Sequence, residues 1–87
     1  MIDKLHERIN RANAAKRILD DEVIGQIFSE LGQGWVQQAI ASVNDEKAAL
    51  RHLQCVFVLE AIKSKLQSVV ANGREATREL EKMQPTK

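Results

Sequence analysis

The chain has 87 residues, 44% of them apolar, but only three are aromatic: Phe28, Phe57 and Trp35. That length suits one domain. It excludes a two-domain enzyme, and the composition excludes a disulfide scaffold or a collagen-like chain. Four Gly, one Pro and the scarcity of aromatics argue against a β-sandwich. Thirteen Lys+Arg against twelve Asp+Glu leave a net charge of +1, which does not suggest a general polyanion binder.

Residues 2–19 are predicted to form the first helix. Ile2, Leu5, Ile9, Ala12 and Leu19 recur at 3–4 spacing, interrupted by Lys16. Lys16 and Arg17 suit the negative end of the helix dipole. Asp20-Asp21-Glu22 then supports two readings. Asp20 or Asp21 can cap a second helix, while the i,i+4 pairs Lys16–Asp20 and Arg17–Asp21 would support one continuous helix. The second helix is predicted over 21–43, with the stripe Ile24, Ile27, Phe28, Leu31 and Trp35. Gly32 and Gly34 lie inside it. They mark either a kink or a close approach of a neighbouring backbone, at about 1 kcal/mol each relative to Ala.

Ser42-Val43-Asn44-Asp45-Glu46 reads as a polar turn with capping chemistry at Asn44 or Asp45. The third helix is predicted over 45–71. Ala49, Leu53, Val56, Leu59, Ile62, Leu66 and Val69 form its seam, widened by Leu50, Phe57, Val58 and Val70. Asn72-Gly73 is its expected stop, since Gly is favoured just past a helix C-terminus. Residues 74–87 are expected to be a charged short helix or tail that frays at Pro85-Thr86-Lys87. The domain expectation is therefore a single helical domain over 1–73, followed by that tail.

Chemistry is sparse. The acids at 20–22 are consecutive and so point in different directions, whereas a hard cation needs converging oxygens. They read as helix-start acids. His6 and His52 are isolated. His52 and Cys55 stand at i,i+3, as in a thiol nucleophile site, but Cys55 lies in the apolar run Cys55–Leu59. It is expected to be a buried structural thiol, since apolar surroundings raise a thiol pKa and silence it. Gly32-x-Gly34 lacks the strand and the Lys-Ser/Thr of a phosphate loop, and no Cys/His spacing suits zinc. No enzyme activity, cofactor or metal is expected. A lone Cys cannot form an internal disulfide. The N-terminal Met1–His6 segment lacks the apolar core of a secretory signal, and five consecutive apolar residues are far short of a membrane span. A soluble intracellular protein is the expectation.

Lys4, Arg8 and Arg11 share one face of the first helix, and Lys47 and Arg51 add cations near the start of the third. Such a stripe could track phosphates. Asp3 and Glu7 dilute it, and no aromatic lies there for stacking. Residues 1–17 carry five cations and two acids, whereas residues 18–30 carry four acids and no cation. That segregation favours contact between basic and acidic segments, within or between subunits.

The order Ala15-Lys16-Arg17-Ile18-Leu19-Asp20-Asp21-Glu22, then Phe28, Leu31 and Trp35, then a long helix closing on Ser68-Val69-Val70-x-x-Gly73-x-x-Ala76, resembles small all-helical proteins of tailed bacteriophages and prophages. These are often encoded among virion-assembly genes. The resemblance implies a phage origin, residence in the host cytoplasm or with the virion, and an accessory role without enzymatic activity.

The expected fold is all-α: a long antiparallel helical hairpin with an N-terminal helix or extension, a small helical bundle that is oligomeric. Ten alanines and no disulfide leave a weak core for a single chain. The expected function is protein–protein interaction by helix packing, with Phe28, Leu31, Trp35, Phe57 and Val58 as contact residues. The partner would be a second copy, or a larger phage or host protein. An inhibitor of a host protein, such as an anti-defence protein, is the alternative. A small DNA-binding protein using Lys4, Arg8 and Arg11 is the third reading.

Overall fold

The computed structural model describes residues 2–83. They form three helices: α1 (Ile2–Asp20), α2 (Glu22–Ala41) and α3 (Glu46–Met83). The all-α expectation holds. Pro85-Thr86-Lys87, expected to fray, lies outside the described residues.

Local chemistry sets the helix starts. The Asp21 carboxylate accepts the Ile24 amide at 3.0 Å, and its backbone is extended, so α2 begins with a side-chain cap. Asp45 does the same for α3, accepting from the Ala48 amide at 3.2 Å. Both features seen around residue 20 are present: Asp21 breaks the helix, and Lys16 still pairs with Asp20 at 2.8 Å. Exposed i,i+4 pairs are worth a few tenths of a kcal/mol. The pair therefore supports the end of α1 without carrying the helix past the cap.

The expected stop at Asn72-Gly73 is overturned. α3 runs through it to Met83, so residues 74–83 belong to α3 and are not a separate short helix. A mid-helix Gly costs about 1 kcal/mol relative to Ala. Here that cost is offset by packing, because Gly73 is buried against α1. A Cβ added there would overlap the Ala12 methyl and meet the Arg8 carbonyl oxygen at 3.5 Å. Glycine at this point is what lets the two backbones approach.

The chain divides into two compact units. Unit 1 combines α1 with α3 from Lys65 onward. Its buried residues are Leu5, Ala12 and Ala15 on α1, and Val69, Gly73 and Ala76 on α3. Mostly small side chains form this contact, and Ala76 is completely buried. Unit 2 combines α2 with α3 up to Ser64. Only Ala39 and Leu59 are buried there. Among the described residues, all the large apolar side chains left exposed belong to unit 2 except Ile2, Ile18 and Met83.

Gly32 and Gly34 do not interrupt α2, and neither adopts a positive φ. Gly32 sits beside the Leu59 side chain, where an added Cβ would make an ordinary 3.5 Å contact; Gly34 faces open space.

Candidate interaction surface

The α2–α3 seam of unit 2 has two unlike sides. Phe28 and Leu59 border both. On one side lies an open groove of about 420 Å³, with Ser29, Gln33, Gln37, Glu60 and Lys63 in its walls. Gly32, Val36 and Val56 share those walls, so this side mixes polar and apolar side chains. On the other side lies a groove of about 560 Å³. Leu31 and Trp35 of α2 face Cys55, Val58 and Ile62 of α3 across it, and Arg51 is its one charged wall residue.

Four of the five residues expected to contact a partner, namely Phe28, Leu31, Trp35 and Val58, meet in this apolar groove. Phe57 does not. It is 70% exposed on α3 and lines neither groove. The sequence grouped it with the others because the apolar arc of α3 is wide. Only the placement of α2 decides which part of that arc faces the seam.

Residues not singled out as contacts also belong to the groove. Ile62 follows Val58 by four residues, and Arg51 and Cys55 precede it on the same wall. Their i,i+4 and i,i+7 spacing is the signal that could have found them. Cys55 is half-buried, not the buried thiol that was expected. It lines the groove together with Phe28, Leu31 and Trp35 of α2. His52, also half-buried, is absent from the groove wall.

The basic stripe of α1 acquires acids within unit 1. Arg8 donates from Nη2 to the Asn72 carbonyl oxygen at 3.2 Å. Its guanidinium pairs with Glu75 at 3.8 Å and Glu79 at 3.7 Å. Two carboxylates thus stand against the middle cation of the Lys4–Arg8–Arg11 stripe. A phosphate approaching Arg8 would have to displace them, which weakens the nucleic-acid reading. Lys4 and Arg11 are exposed.

Among the described residues, no group of three or more His, Cys, Asp or Glu side chains could hold a metal ion. No helix there is long and apolar enough to cross a membrane. No family model, curated protein or solved structure matches the chain.

Proposed function

We propose that this chain is a non-enzymatic interaction protein that buries the apolar side of unit 2 against another protein. The resemblance of its sequence to small phage proteins supports an assembly or accessory role in a tailed bacteriophage. On this reading α2 and the first half of α3 act as an antiparallel hairpin that presents the groove.

The observation that carries the reading is the asymmetry of the seam. On one side of Phe28 and Leu59, five polar side chains are mixed with Val36 and Val56, whereas on the other Leu31, Val58 and Ile62 stay exposed in a wall whose polar members are Arg51 and Gln54. Single exposed apolar residues are ordinary on a protein surface, but a contiguous set marks a contact site. The rows are spaced for a helix lying in a groove.

The test is isolation of the tagged chain and its Val58→Glu variant from cells in parallel, with masses measured by light scattering. The unaltered chain is expected in a complex, with its own copies or a second protein, and Val58→Glu should release it. Recovery of the unaltered chain alone, at its own 9.8 kDa, would contradict the reading. Recovery with a host protein would move the role from assembly to inhibition.

A further inference from the structure

We infer that the occupant of the apolar groove is a second copy of this chain, packed groove to groove so that the two copies of unit 2 form a four-helix core. This deepens the interaction reading above and rests on it.

The first support is the direction in which the seam opens. Ile24, Phe28, Leu31 and Trp35 keep the alternating four- and three-residue spacing of a helical seam on α2, as do His52, Cys55, Leu59 and Ile62 on α3. In a self-sufficient pair such rows would cover each other. Here members of both rows converge on one open groove. That is the form of half a helical bundle, in which inward rows from four helices share one core.

The second support is area. Three large side chains of the groove wall stay exposed: Leu31 (42%) on α2, with Val58 (61%) and Ile62 (47%) on α3. At ~200 Å² for a fully exposed large side chain, these fractions leave roughly 300 Å² of apolar surface, to which the half-buried Phe28, Trp35 and Cys55 of the same wall add. A stable interface buries about 800 Å² per partner, a little over half of it apolar. One such face, with its half-buried members, therefore comes near the apolar share of one side of a two-fold dimer, and a two-fold contact uses the same patch on both chains.

The third support is charge. α2 carries Glu22 and Glu30 and no Lys or Arg, whereas α3 from Glu46 to Ser64 carries Lys47, Arg51 and Lys63 against Glu46 and Glu60. A bundle in which each α2 lies between two α3 segments sets the acid-only helix beside the cation-bearing one on both sides. It also keeps the two acidic helices apart.

Sedimentation velocity of the full chain from about 1 to 100 µM tests the assignment, since self-association follows mass action. The unaltered chain should reach the mass of two chains. Leu31→Glu and Val58→Glu should each hold it at one chain with helical content retained, and Phe57→Glu, outside the groove, should leave the two-chain species intact. Should the groove variants lose their helices, the unaltered chain decides through Cys55. Its reaction with a small disulfide reagent should slow about tenfold over that concentration range. A single-chain mass throughout, with a Cys55 rate independent of concentration, overturns the second copy. So does a two-chain species that survives both groove variants. A chain that is monomeric when pure but bound to another protein in cells would leave the interaction reading standing and remove only this assignment.

Discussion

The two units solve the same packing problem with different side chains. Unit 1 brings two helices together through Ala12, Ala15, Gly73 and Ala76, then ties the contact with Arg8 on Asn72, Glu75 and Glu79. Small residues allow close backbone approach, so little apolar surface is left over. Unit 2 uses larger residues on both helices, yet buries only Ala39 and Leu59. Among the described residues, no hydrogen bond or ion pair joins its two helices by side chains. Two helices packed through large residues touch along one line and leave both sides of it open. Large side chains without a third layer leave an open groove, whereas small ones make a closed joint.

Leu5→Ala and Leu59→Ala should have the largest effects. Among the described residues each removes the one buried leucine of its unit, and such truncations cost about 2–4 kcal/mol. A fall in Tm of about 10 °C or more is expected by thermal denaturation. A loss under about 1 kcal/mol for Leu59→Ala would mean that the seam of unit 2 is not held at Leu59.

Gly73→Ala should come next. The added methyl overlaps Ala12, and overpacking costs typically 1–3 kcal/mol, partly offset by helix propensity. A net loss of about 1–2 kcal/mol is expected, with Ala12→Gly in the same chain restoring part of it. Denaturant titration of the single and double variants reads this directly. Gly34→Ala should go the other way, since that site is open. A gain of about 0.5–1 kcal/mol is expected from helix propensity. The same substitution with opposite signs in the two units would sharpen the contrast; equal signs would break it.

Arg8→Ala should have the smallest effect. Its ion pairs are 3.7–3.8 Å long and partly exposed, so screening limits them to less than about 1 kcal/mol. The difference between Arg8→Ala and the unaltered chain should shrink further in 1 M salt, as a melting series would show.

Much of the fold is legible in the sequence. Apolar spacing marks three helices, and Asp21 and Asp45 are side-chain caps at positions where Asp is favoured. What local reading misses depends on distant partners. Gly73 after Asn72 has the signature of a helix end, and only Ala12, far away in sequence, turns it into a helix-interior contact. Phe57 and Val58 are neighbours of similar character, so no periodicity argument on α3 alone tells which one faces a groove. Phe28, Leu31 and Trp35 were legible as one surface because they share a helix face. Arg51, Cys55 and Ile62 share a helix face with Val58 by spacing, but only α2 packed beside α3 makes that face a groove wall.

If unit 2 is completed by another chain and unit 1 is not, the two should respond differently to concentration. Amide hydrogen exchange of the unaltered chain, dilute and concentrated, reports on the two separately. Slower exchange is expected at high concentration along α2 and along α3 from Glu46 to Ser64, with α1 and the rest of α3 unchanged. Exchange that is independent of concentration in both units, or that slows only in unit 1, would contradict it.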